Sequence, residues 1–137
     1  MPALDGVLET ALYVDDLFRA RRFYEEVMGL APVFADQRLC AYEVAPKSVL
    51  LLFPRGATLE TVVMPGGTIP PHDGSGPLHV AFAIARADLG PWEAHLAHHD
   101  IAVEGRTEWP RGGTSLYFRD PDGHLLELAT PGLWPGY

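Results

Sequence analysis

The chain has 137 residues, 47% of them hydrophobic, which is one ordinary domain's worth with enough apolar mass to build a core. Its formal net charge is −8 and it has no run of lysine or arginine, so phosphate-rich nucleic acid is a poor partner. The single cysteine, Cys40, excludes an intrachain disulfide, and no apolar run approaches the length of a membrane span. With no basic segment leading into an apolar stretch at the N-terminus, the expectation is a soluble, cytoplasmic protein that engages neither membrane nor nucleic acid.

In chain order, Glu9–Asp15 alternates with Leu12 and Val14 on one face, the pattern of a half-buried strand. Asp15 and Asp16 are good helix N-caps. Leu17, Ala20, Phe23, Tyr24, Val27 and Met28 then fall on one helical arc that Gly29 should end. Phe18 lies off that arc. Short strands are expected at Pro32–Ala35, Leu39–Val44 and Ser48–Phe53. Met64–Pro77 has eight glycines and prolines in fourteen residues and reads as a loop or hinge. The second half repeats the plan: a strand over Leu78–Ala85, a helix capped by Asp88 and running through about His99, then strands near Ala102–Glu108, Thr114–Arg119 and His124–Thr130.

Laid together, Glu9-Thr-Ala-Leu-Tyr-Val matches His79-Val-Ala-Phe-Ala-Ile, and Ser48-Val-Leu-Leu-Leu-Phe matches His124-Leu-Leu-Glu-Leu-Ala. A repeat this long is a duplicated half-domain rather than a solenoid unit. The expected fold is α+β: two βαβββ modules, about 6–55 and about 77–131, joined by a linker over about 56–76. Together they would form one domain with a curved, barrel-like mixed sheet and helices outside.

Alternation then sorts the faces. With Leu12, Val14, Val80, Phe82, Leu126 and Leu128 toward the helices, the inner faces carry Glu9, Ala11 and Tyr13, then His79, Ala81 and Ala83, then Leu125, Glu127 and Ala129. Asp120-Pro121-Asp122-Gly123 is a type I turn signal. If Gly123 takes the left-handed position of a three-residue hairpin loop, Asp120 pairs with His124, Tyr117 lies opposite Glu127, and Ser115 lies opposite Ala129.

Two inward carboxylates are costly to bury without a cation. A divalent ion held by Glu9, His79 and Glu127 resolves that cost, and three protein ligands leave room for water or substrate. Oxygen and nitrogen donors suit manganese, iron(II), nickel, zinc or magnesium. Tyr117 should border that site. Tyr13, Ser115, Arg111, Arg119 and His72 are the candidates to contact a small-molecule substrate. His95, His98 and His99 share a helix surface away from Leu89, Trp92 and Leu96 and read as surface residues. Cys40 reads as a packing residue. Gly112-Gly113 lacks the lysine and following helix of a phosphate loop.

Leu12-Tyr-Val-Asp-Asp-Leu with Phe23-Tyr-Glu-Glu-Val-Met-Gly-Leu, and Gly76-Pro-Leu-His-Val-Ala-Phe-Ala-Ile with Tyr117-Phe-Arg-Asp-Pro-Asp-Gly-His-Leu-Leu-Glu-Leu, resemble the two halves of vicinal oxygen chelate proteins. That superfamily includes glyoxalases, bleomycin-resistance proteins, thiol transferases that inactivate fosfomycin, and extradiol dioxygenases. The resemblance implies metal ligands on the first and last strands of the modules, where His79 and Glu127 match directly and Glu9 replaces a common histidine. It implies an enzyme in which metal stabilises a substrate oxyanion, acting as a lyase, isomerase or dioxygenase, with Tyr117 as a hydrogen-bond donor to substrate or a proton carrier. A metal-free binder of an antibiotic or metabolite, of the bleomycin-resistance type, is the alternative. Leu51 stands where glyoxalase I has a fourth, carboxylate ligand. Ala11 stands where the fosfomycin transferases place a polar contact. Both departures count against those particular activities, and one histidine with two carboxylates is a poor match to the dioxygenase set. Relatives of this size commonly form homodimers by exchanging modules, which is the expectation here.

Overall fold

The computed structural model describes residues 1–137, which divide into two compact units, Met1–Ser75 and Gly76–Tyr137. In the first unit, β1 (Glu9–Val14) leads into α1 (Leu17–Arg22), followed by β2 (Pro32–Ala35), β3 (Cys40–Ala45) and β4 (Ser48–Pro54). The sheet order is β1-β4-β3-β2, with β1 and β4 parallel and the other pairs antiparallel. The second unit repeats it: β7 (His79–Ala83), α2 (Leu89–His98), β8 (Gly105–Glu108), β9 (Thr114–Arg119) and β10 (Leu125–Ala129), in the order β7-β10-β9-β8. The two expected βαβββ modules are therefore present, each a mixed four-stranded sheet with its helix inserted after the first strand.

The helix of the first unit starts where Asp16 accepts a hydrogen bond from the Arg19 amide at 3.1 Å. After Arg22 it widens into a π-turn over Phe23–Val27. Periodicity does not reveal that widening, because the buried positions Ala20, Phe23, Tyr24, Val27 and Met28 stay on one arc either way. Gly29, at φ 71°, closes the helix, and the Leu30 amide donates back to the Tyr24 carbonyl at 3.0 Å. Phe18 is 74% exposed. Leu12, Val14, Leu50, Leu52, Tyr24, Tyr42 and Cys40 form the core of this unit, Cys40 as a packing residue. In the second unit Leu96, Leu116, Phe118, Leu126 and Leu128 are buried.

Three expectations need correction. Met64–Pro77 is not all loop: Val62–Met64 and Gly67–Ile69 pair as a hairpin, β5 and β6, around Pro65-Gly66. β-branched Val62, Val63, Thr68 and Ile69 favour the extended pairing that the glycine and proline count obscured. Asp88 makes no side-chain cap, because a 3-10 turn over Arg86–Asp88 precedes α2 and leaves Asp88 in helical geometry. The strand expected from Ala102 begins only at Gly105. No helix is long and apolar enough to cross a membrane.

Candidate metal centre

The hairpin between β9 and β10 sets the geometry. Gly123 adopts φ 82°, its amide donates to the Asp120 carbonyl at 3.0 Å, and the Asp120 amide donates to the His124 carbonyl at 3.1 Å. The Asp120 carboxylate also accepts from the amides of Asp122 and His124, both at 2.9 Å. This rigid turn fixes the register as expected: Tyr117 opposite Glu127, Ser115 opposite Ala129, and Leu116 and Phe118 on the face of Leu126 and Leu128. On the other side of β10, β7 runs parallel, with Leu125 beside His79 and Glu127 beside Ala81. Ala81 is small, so the side chain of Glu127 can reach past it toward His79.

His79 Nε2 lies 3.3 Å from Glu127 Oε1. The other imidazole nitrogen, Nδ1, is 2.8 Å from the Leu125 carbonyl oxygen. A carbonyl only accepts, so Nδ1 must carry the proton there. In a neutral ring Nε2 then presents a lone pair to a carboxylate oxygen that also has only lone pairs. A cation between them would engage both lone pairs. A nitrogen and an oxygen 3.3 Å apart are spaced as two neighbouring donors that would hold one divalent ion. Side-chain nitrogen and oxygen at this spacing fit a divalent metal, and the backbone bond at Nδ1 is the outer-shell support that metal-bound histidines ordinarily have.

Glu127 is 5% exposed, and its second oxygen is held from behind. Ser115, fully buried, donates to Oε2 at 2.5 Å, and the Trp109 indole N–H donates to the Ser115 hydroxyl oxygen at 2.8 Å. Ser115 is thus engaged at both its oxygen and its proton. Tyr117 is half-buried, with its ring centroid 6.5 Å from that of His79. Burial first, and the nearby Glu127 charge second, push its hydroxyl above the ordinary tyrosine value, so it is a neutral donor at pH 7. The sequence contains no signal for Trp109 in this arrangement: the link depends on how the β8–β9 connection turns its indole.

The remaining candidates fall elsewhere. Arg119 is exposed, paired with Glu104 at 2.9 Å and bonded to the Gly123 carbonyl at 3.1 Å. Arg111 is exposed in the β8–β9 connection. Glu9 is exposed at the start of β1 in the first unit, where it lines a cavity of about 460 Å³ with Ala11, Leu51, Phe53, Ile69 and His72. The Tyr13 hydroxyl is 2.6 Å from His72 Nδ1, and the His72 ring meets Phe53 edge-on at 4.8 Å. Burial, with a smaller contribution from Asp73, raises the Tyr13 hydroxyl above its usual value. Neither unit by itself groups three His, Cys, Asp or Glu side chains around a point. His79 with Glu127 is the pair the fold brings together, and Glu9 belongs to the other unit.

The family is that of the Glyoxalase/Bleomycin resistance protein/Dioxygenase superfamily, whose model matches residues 6–128, and the chain belongs to it. The lactoylglutathione lyase structure from Agrobacterium tumefaciens is similar across 98% of this chain and 99% of that one, at 32% identity and a TM-score of 0.87. The metallothiol transferase FosB from Bacillus licheniformis is 46% identical over 55 residues, 38% of this chain and 34% of that protein. The chain thus covers about a third of the length of the curated relatives of this kind. The fosfomycin resistance protein FosX from Mesorhizobium loti shares the fold, at 24% identity and a TM-score of 0.66 over 96% of each chain.

Proposed function

We propose that the protein is a divalent-metal-dependent enzyme that acts on a small oxygenated metabolite by stabilising an oxyanion as it develops. The observation that carries this reading is the approach of His79 Nε2 to Glu127 Oε1 with the His79 proton committed to the opposite side of the ring. His79 and Glu127 would hold the ion, and Glu9 is the third ligand that would complete the set. The metal when bound supplies Lewis-acid polarisation of substrate oxygen. Ser115 and Trp109 fix the Glu127 carboxylate in rotation. Tyr117, neutral and beside Glu127, is the group that would donate a hydrogen bond or pass a proton to bound substrate.

This reading includes a homodimer in which exchanged modules would bring ligands from two chains into each site. Leu51 lines the Glu9 cavity where the resemblance implies that glyoxalase I has a carboxylate. For that reason the lactoylglutathione lyase reaction itself is not proposed, and the substrate is set by the cavity instead.

Metal analysis of protein purified without chelator tests the reading. The expected result is one divalent ion per Glu127, lost in Glu127→Ala and in His79→Ala. A folded protein that carries no metal, and takes up none of manganese, iron(II), nickel, zinc or magnesium on addition, overturns it in favour of a metal-free binder.

A further inference from the structure

The cavity of the first unit has a feature that metal binding does not use. Three arginines of the chain are half-buried: Arg21, Arg38 and Arg55. Arg21 is paired with Glu25 at 2.8 Å and Arg55 with Asp15 at 2.6 Å. Arg38 has no carboxylate in ion-pair contact. Its guanidinium lies over the Phe53 ring instead, 5.6 Å from the centroid, on the wall of the cavity that Glu9 and His72 also line. Glu9 and Arg38 share the cavity without pairing, so the guanidinium is not neutralised there.

The placement of Arg38 is built by the turn before β3. The Asp36 carboxylate accepts from the amides of Arg38 and Leu39, each at 2.8 Å, and the Asp36 amide donates to the Leu39 carbonyl at 2.9 Å. The ring beneath it is equally fixed. Phe53 is 5% exposed, stacked on Tyr13 at 6.0 Å and met edge-on by His72. A cation that rests on an aromatic face keeps its in-plane N–H groups free, and the planar fork of arginine matches two oxygens of one anion. The other walls, Ala11, Leu39, Leu51 and Ile69, are apolar. A cavity of about 460 Å³ is of the size that holds a small organic molecule.

We propose that Arg38 is the anion-binding end of this cavity, taking the carboxylate or phosphonate of a small molecule whose apolar body rests on Leu51 and Ile69. This names the substrate class of the proposed enzyme, and it rests on that reading only in calling the ligand a substrate. A neutral analogue of the same shape loses the guanidinium contact and binds weakly.

Isothermal titration of the full chain as purified tests the proposal, with benzoate, phenylphosphonate and neutral benzyl alcohol as probes and metal content measured on the same samples. Benzoate or phenylphosphonate should bind at least tenfold more tightly than benzyl alcohol. Arg38→Met should remove that difference, while Arg38→Lys should keep part of it through its remaining charge. Whichever anion binds more tightly distinguishes a carboxylate from a phosphonate ligand. Equal binding of anion and alcohol, no binding of either anion, or a folded Arg38→Met that retains anion binding would each overturn the proposal. Anion binding that depends on Arg38 in protein without metal leaves this inference standing while the metalloenzyme reading fails. Stoichiometric metal binding in protein that shows no Arg38-dependent anion binding does the reverse.

Discussion

Ser115 Oγ stands 2.5 Å from Glu127 Oε2, with the Trp109 indole donating to the same hydroxyl oxygen from the other side at 2.8 Å. An indole N–H can only donate, so it occupies the hydroxyl as acceptor and directs the hydroxyl proton to the carboxylate. Ser115 is then a positioning residue for the proposed ligand. Supports of this kind are worth about 10–100-fold in metal affinity. Ser115→Ala should weaken metal binding by that factor in a competition titration with a chromophoric chelator, and Ser115→Thr should restore most of it. Equal affinity in all three proteins would show that the hydroxyl merely fills space.

How much of this centre was legible in the sequence depended on where the governing chemistry lay. Asp120-Pro121-Asp122-Gly123 permits few conformations, and once its loop type is known the alternation of Leu116, Phe118, Leu126 and Leu128 admits one register. That is why Tyr117 could be placed opposite Glu127. Arg38 was not legible, because its role comes from lacking a partner, which appears only when every neighbouring carboxylate has been placed. Trp109 was hidden for a similar reason: a side chain in an irregular connection has no periodicity to announce its direction. The β5–β6 hairpin was concealed by the flanking glycines and prolines, although Val62, Val63, Thr68 and Ile69 carried its signal.

Alkaline stability follows from the core of the first unit. Cys40 and Tyr42 are fully buried, and burial is the main cause that raises both the Cys40 thiol and the Tyr42 phenol above their ordinary values. The folded chain therefore holds these protons more tightly than the unfolded chain does. Their neutral forms favour the fold fully below the unfolded values, about 8.5 for cysteine and about 10 for tyrosine. Above those values the unfolded state gains by releasing protons that the native state retains. The urea midpoint should be level near pH 7–8, begin to fall above about pH 9 and fall more steeply beyond about pH 10. A midpoint unchanged to pH 11 would contradict this account.

Gly132 closes the second unit against its own β8–β9 connection. It adopts φ 107°, and a Cβ added there would meet the Gly113 nitrogen at 2.4 Å and the Arg111 carbonyl oxygen at 2.7 Å. These are backbone atoms, so no side-chain rotation relieves the overlap. The Gly113 amide also donates to the Gly132 carbonyl at 3.2 Å, and the Tyr137 hydroxyl ties the tail to the Ala129 carbonyl at 2.7 Å. Gly132→Ala should cost about 2 kcal/mol or more, combining strain at positive φ with overpacking. The check is a lowered thermal midpoint, with Gly136→Ala as control, since Gly136 has open space around it.

The separation of the candidate ligands between units yields the most discriminating prediction about assembly. Glu9 lies in the unit Met1–Ser75, whereas His79 and Glu127 lie in Gly76–Tyr137. If exchanged modules join Glu9 of one chain with His79 and Glu127 of another, Glu9→Gln and Glu127→Gln each damage every site of their own homodimers. When the two variants are unfolded together and refolded as an equal mixture, half of the dimers pair one of each. In those dimers both lesions fall in one site and the other site is intact, so about a quarter of all sites should regain metal. A site built within one chain has no such route, because every chain in the mixture still carries a lesion in its own ligand set. Metal content that remains at the level of the separate variants after mixed refolding, in a protein that light scattering shows to be dimeric, would rule out the shared site.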